Sequence, residues 1–109
     1  MQVSLQTDEF GRLTCDISDA GSDAVVTASN MPSARNDLAV AVNSAIHGMF
    51  GECFWEEACG EYRWVFRREQ ENVRVAIMWS TGTVTGWEHV FWSECSLDAF
   101  TRAFAGALG

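Results

Sequence analysis

Apolar and polar residues alternate along most of the chain, and two stretches break that period. "VSLQT" (residues 3–7) and "LTCDI" (residues 13–17) both alternate, with the turn residues "DEFG" between them. The pattern predicts a β-hairpin with Val3, Leu5, Leu13, Cys15 and Ile17 on one face. "DAGSD" reads as a loop, and the β-branched run "AVVTA" as a third strand. "NMPS" then interrupts, after which Leu38, Val42, Ala45, Ile46, Met49 and Phe50 recur at helical spacing. Ser33 or Asn36 suits the cap of that helix, Asp37 its positive end and Gly51 its stop. From Glu52 to Cys95 the strand period returns. "SLDAFTRAFAGALG" reads as a second helix, with Ser96 as N-cap and Leu97, Phe100, Thr101, Phe104, Ala107 and Leu108 facing inward. The order βββ-α-ββββ-α predicts one α+β domain over residues 1–109. Its antiparallel sheet has about six or seven strands, and both helices cover one face.

Pairing the later strands sorts their side chains. A turn at Cys59-Gly60 sets Glu56 opposite Arg63, Trp55 opposite Trp64 and Glu52 opposite Arg67. A turn at Gln70-Glu71 sets Arg67 opposite Arg74, Phe66 opposite Val75 and Tyr62 opposite Trp79. Cys53, Trp55, Tyr62, Trp64, Phe66, Val73, Val75, Ile77 and Trp79 then share a core face. Glu52, Glu56, Arg63, Arg67 and Arg74 share the other, where Glu52–Arg67 and Glu56–Arg63 form cross-strand ion pairs. A one-residue slip would turn the rings to solvent, so the register is well specified. Neither dipeptide is a favoured two-residue hairpin turn, and a longer loop with a bulge stays open as the alternative.

The outer face is not wholly polar. "GWEHVFWSEC" adds a strand with Trp87, His89 and Phe91 inward, and with Val90 and Trp92 outward. Phe54, Val65, Ala76, Met78, Val90 and Trp92 then form an apolar strip. Such a strip is covered within the chain or used for binding. The N-terminal hairpin is expected to extend the sheet and not to cover it. Phe54, Val65, Met78 and Trp92 are therefore the expected surface for a protein partner or a homodimer.

Charge narrows the choice of partner. The 109 residues carry a net charge of −8. An acidic surface repels phosphate, which argues against nucleic acid and anionic membranes and suits a basic partner. No targeting segment and no apolar run of membrane-spanning length is visible. A cytoplasmic protein with four free thiols is expected, at Cys15, Cys53, Cys59 and Cys95.

Catalytic and metal chemistry find little footing. Cys53 and Cys59 lie roughly 20 Å apart along an extended strand, too far to share a zinc ion or a disulfide. There is no C-x-x-C or H-x-x-H, and neither a metal nor a cofactor is expected. Cys95 or Cys59 with His47 or His89 has no local support as a catalytic pair. Glu52 and Glu56 share a face but stand roughly 13 Å apart, beyond the separation that glycosidases use. "STGTVTG" (residues 80–86) lacks the lysine of a phosphate loop and reads as a hairpin loop. Glu57 is the exception, because its parity points it toward the aromatic face. Enclosed beside Tyr62 and Trp79, it would have a raised pKa and mark a small pocket. Glu57, Tyr62, Trp79 and His89 are thus the alternative site, for a small molecule or a minor enzymatic activity.

"GEYRWVFRREQENVRVAIMW" (residues 60–79) resembles a family of small bacterial proteins, frequent in actinobacteria. In that family a helix with Asp-Leu near its start precedes a Gly-Glu-Tyr-Arg-Trp strand and a basic hairpin. A strand then leads through Glu-Cys into a final amphipathic helix. Asp37-Leu38, Gly60 to Trp64 and Glu94-Cys95 carry the likeness, over residues 35–108. Ala58-Cys59 departs from the acidic-proline step usual there. The family has no established activity, so the resemblance implies no catalytic residues. In size and charge the chain also looks like toxin-immunity proteins. The expectation is a non-enzymatic interaction domain, immunity-like, with the small-molecule pocket as alternative.

Overall fold

The computed structural model of the chain describes residues 1–82 and 86–109. Its elements are β1 (Gln2–Thr7), β2 (Leu13–Asp19), β3 (Ser22–Ala28), α1 (Ala34–Gly48), β4 (Phe50–Glu57), β5 (Gly60–Glu69), β6 (Asn72–Ser80), β7 (Glu88–Ser96) and α2 (Leu97–Leu108). The order is the expected one, and every strand pair is antiparallel. The strands do not form a single sheet, however. They divide into a three-stranded sheet, β1-β2-β3, and a four-stranded sheet, β4-β5-β6-β7.

Width explains the division. Seven strands side by side would span roughly 30 Å at their usual spacing. Two helices, each about 10 Å wide, cannot cover such a face. The first sheet instead folds onto the inner side of the second. β3 touches both β4 and β7, the two edge strands of the second sheet. The apolar face of the N-terminal hairpin is thereby buried, and it helps to bury the rings of the second sheet.

The hairpin itself follows its pattern. Val3 pairs with Ile17 and Leu5 with Cys15. Asp8 closes the turn, its Oδ1 accepting from the backbone N–H groups of Phe10 and Arg12 at 2.9 Å each. The "DAGSD" loop is a tight turn, with Asp19 paired to Ser22 and left-handed φ at Ala20 and Gly21.

In the second sheet one turn is as expected and the other is displaced. Glu69 pairs with Asn72, so Gln70-Glu71 is the turn. Glu57 pairs with Gly60, so the preceding turn is Ala58-Cys59 and not Cys59-Gly60. Gly60 is needed within the strand: a Cβ there would lie 2.2 Å from the Ser80 carbonyl oxygen and 2.7 Å from the Trp79 ring. The displacement is an even one, so every side chain keeps its expected face. The partners change all the same. Trp55 pairs with Tyr62, Glu56 with Glu61 and Glu52 with Val65.

Helix α1 ends earlier than its apolar pattern. Met49 takes the left-handed φ of 73° and donates its N–H to the Ala45 carbonyl, while Phe50 and Gly51 already belong to β4. Gly51 is not a helix stop. A Cβ there would lie 1.8 Å from the Ala41 carbonyl oxygen, so glycine lets α1 lie directly on β4. Arg68 tends the same helix end, donating a side-chain hydrogen bond to the Ile46 carbonyl. Ser96 caps α2 as expected, accepting from the Ala99 N–H at 3.1 Å.

One apolar cluster joins both sheets and both helices. Trp55, Trp64, Phe66, Phe100 and Phe104 are all fully buried. Phe66 meets Phe100 and Phe104 edge-on at 5.3 and 5.4 Å, within the range of favourable ring pairs. No helix among the described residues is long and apolar enough to cross a membrane.

Candidate functional site

The first sheet and both helices lie on the inner side of the four-stranded sheet, and among the described residues no other helix or strand covers its outer face. Its side chains form rows across the strands. Phe50, Arg67, Arg74 and Glu94 make one row; Glu52, Val65, Ala76 and Trp92 the next; Phe54, Arg63, Met78 and His89 the third. Trp92 is 53% exposed, Phe50 41% and Phe54 39%, which is high for rings on a structured sheet. Val65 is buried, and Ala76 and Met78 are half-buried. The expected strip of Phe54, Val65, Met78 and Trp92 therefore does lie on one face, with Val65 as its floor.

The last strand departs from the expected alternation. Ile77 pairs with Phe91 but Met78 pairs with His89, so Val90 is the extra residue of a β-bulge. The bulge reverses the facing of everything before it. His89 and Trp87 were expected inward. His89 instead stands exposed beside Met78 on the outer face, and the Trp87 ring lies 6.1 Å from that of Phe54. Val90, expected outward, packs against the core. β4 and β7 are opposite edges of the sheet. Trp87 thus reaches from beyond β7 over the outer surface toward β4. The loop expected at residues 80–86 falls in part on residues 83–85, outside the described ones.

The charges on this face are unequally matched. Arg63 Nε donates to Glu52 Oε2 at 2.7 Å. Arg74 stands 3.7 Å from Glu69 and 3.6 Å from Glu94. Arg67 has no carboxylate within ion-pair reach among the described residues. Its guanidinium lies 5.2 Å from the centroid of the Phe50 ring, a cation–π contact. The expected pairs Glu52–Arg67 and Glu56–Arg63 do not form, because the displaced turn moves Glu52 opposite Val65 and within reach of Arg63.

The alternative site is differently arranged. Tyr62 and Trp79 pack with centroids 4.6 Å apart. His89 is on the opposite side of the sheet from them. Glu57 is engaged within the fold. Its Oε2 accepts from Thr27 Oγ1 and its Oε1 from the Ser29 N–H, both at 2.7 Å, tying β4 to the end of β3. Desolvation raises its pKa, but the hydrogen bonds from Thr27 and Ser29 and the nearby charge of Arg12 outweigh that. The net shift is downward, opposite to that of an enclosed carboxyl.

The thiols are scattered. Burial pushes Cys15 and Cys53 up to about 12, with nearby carboxylates adding to the effect, so both stay protonated and poor nucleophiles. Cys59 is exposed at the β4–β5 turn. Among the described residues no three His, Cys, Asp or Glu side chains are placed to hold a metal ion.

Three features escaped the sequence. Phe50 was counted into the helix, Trp87 was placed inward, and Arg67 was assigned an ion pair. The unfavoured Cys-Gly turn was the one available warning for Arg67; nothing in the sequence announces the bulge at Val90. Comparison with protein-family models, curated proteins and solved structures finds no match for the chain. The likeness carried by Gly60 to Trp64 thus rests on its motif alone.

Proposed function

We propose that the protein is a non-enzymatic interaction domain that docks another protein on the outer face of its four-stranded sheet. The observation carrying this reading is the exposure of Phe50, Phe54, Trp87 and Trp92 on one side of a sheet whose covering elements, among the described residues, lie on the other. Exposed aromatic clusters bearing arginine are the composition of interface hot spots. The small-molecule alternative has less support, since Glu57 is engaged by Thr27 and Ser29 and His89 faces away from Tyr62 and Trp79.

Copurification from the host lysate tests the reading with three baits: the unaltered protein, Trp92→Arg and Val25→Arg. Val25 is 58% exposed on the first sheet and serves as control. A partner held by the unaltered protein and by Val25→Arg, and lost from Trp92→Arg, supports the reading. Equal recovery by all three would overturn it.

A further inference from the structure

The outer face also carries information about what it binds. Arg67 and Arg74 stand directly opposite each other on β5 and β6. Like charges so placed repel, and such pairs are ordinarily relieved by a carboxylate between them. Arg74 has two long contacts to exposed glutamates, at 3.7 and 3.6 Å. Among the described residues Arg67 has no carboxylate within ion-pair reach and lies over the Phe50 ring. A guanidinium lying on a ring keeps its N–H edges free, and those edges form the fork that matches a carboxylate. The next row holds Val65, Ala76 and Trp92, an apolar floor with one exposed ring beside it.

We infer that the docked partner is an acidic protein segment: one of its carboxylates sits between Arg67 and Arg74, and a neighbouring apolar side chain covers Val65, Ala76 and Trp92. This rests on the reading of the outer face as a docking surface. A second copy of the chain fits poorly. Stacked face to face about a two-fold axis centred on the sheet and running along the strands, Arg67 of one copy meets Arg74 of the other. With the axis across the strands it meets Arg63. The overall charge of −8 does not oppose an acidic partner at this place. On the outer face Glu52 is held by Arg63, and Glu69 and Glu94 by Arg74, while Glu56 and Glu61 lie six residues along β5 from Arg67, roughly 20 Å away. Five more of the fifteen acidic residues, Asp8, Glu9, Asp16, Asp19 and Asp23, belong to the first sheet and its turns, with Arg12 and the Met1 ammonium. That sheet lies across the core, about 10 Å away at the usual sheet spacing, beyond the screening length of about 8 Å in physiological salt.

A random dodecapeptide phage library panned on the full chain, in parallel with Arg67→Ala and Trp92→Arg, tests this. Enriched peptides are expected to carry Asp or Glu near an aromatic or aliphatic residue. In fluorescence polarisation, Arg67→Ala is expected to weaken them by about tenfold, with partial recovery in Arg67→Lys. Peptides lost by Trp92→Arg but lacking acidic residues, or indifferent to Arg67→Ala, would sink the acidic partner and leave the docking face standing. Peptides indifferent to both variants, or no enrichment at all, would sink both. A fluorescein-labelled single-stranded RNA dodecamer is the last arm. Its binding in an Arg67-dependent way would replace the acidic protein by a phosphate backbone and overturn the inference.

Discussion

The two faces of the four-stranded sheet are built from the same strands and both carry large rings, yet they differ in what the rings touch. On the inner face Trp55 packs on Trp64 at 5.0 Å, and Trp64 lies 6.1 Å from Phe66 and 6.5 Å from Phe104. On the outer face Phe50 lies under a guanidinium, Trp92 stands in a row with Glu52 and Val65, and among the described residues only Phe54 and Trp87 approach each other as rings. Rings that meet rings make a core, while rings interleaved with charges remain exposed. The division predicts that equal chemistry on the two faces has unequal consequences.

The largest contrast is at Trp64. It is fully buried, and Trp64→Ala is expected to cost about 3–5 kcal/mol in urea unfolding, enough to leave a domain of this size marginal. A loss under 1 kcal/mol would mean that the inner face is not the packed core. Trp64 Nε1 is also the one buried side-chain polar atom without a partner among the described residues, whereas Trp55 Nε1 donates to the Ala34 carbonyl at 3.1 Å. Trp64→Phe is therefore expected to lose less than Trp55→Phe, since only the latter gives up a hydrogen bond.

Gly51 measures how closely the inner face is fitted. Gly51→Ala sets a methyl group against the Ala41 backbone, which must shift, so a loss of about 2–3 kcal/mol is expected. Gly106, within α2, has open space around the corresponding position. There the same substitution is expected to stabilise by about 0.5–1 kcal/mol through helix propensity. Thermal unfolding of the two variants compares them directly, and a common sign would refute the close contact between α1 and β4.

How much of this was readable from the sequence depends on the range of the interaction. The inner residues of β4 to β6, the β1–β2 hairpin and the Ser96 cap follow from local period and local hydrogen bonding, and all are found as expected. The division into two sheets does not follow, because alternation reports that a face is buried and not which element buries it. Gly51 shows the same limit. In sequence it is a glycine after a helical stripe, and only the approach of α1 to β4 explains it. The candidate face was legible in Phe54, Val65, Met78 and Trp92. Arg67 depended on a turn displaced by the packing of Gly60 against Trp79, and Trp87 and His89 depended on a bulge without a sequence marker.

Glu57 joins the two sheets, and its pH dependence sharpens where the core ends. Its folded pKa lies below the ordinary value of 4.5, so its contribution is present above that pH and lost as pH falls through the folded value. Glu57→Gln is expected to cost about 1 kcal/mol at neutral pH, a modest figure because the carboxylate is only part-buried. The gap between the two proteins should close as pH drops below 4.5. A gap that widens toward acid would show that Glu57 is held as the neutral acid, returning it to the role of a pocket carboxyl.

The smallest expected change is also the most informative about the outer face. Trp92→Arg places a charge where a ring was, at a position already more than half exposed. The new guanidinium remains in water beside Ala76, with Glu94 two residues along the same strand, so no buried group loses a partner. Unfolding free energy is expected to stay within about 0.5 kcal/mol of the unaltered protein, against the several kcal/mol expected for Trp64→Ala. Size-exclusion chromatography with light scattering supplies the second reading. If the face binds a different protein, the unaltered chain and Trp92→Arg run at the same mass at high concentration. A dimer that Trp92→Arg splits would make a second copy the partner, and the opposition of Arg67 to Arg74 or Arg63 would then have to be relieved by a stacking offset from the centre of the sheet.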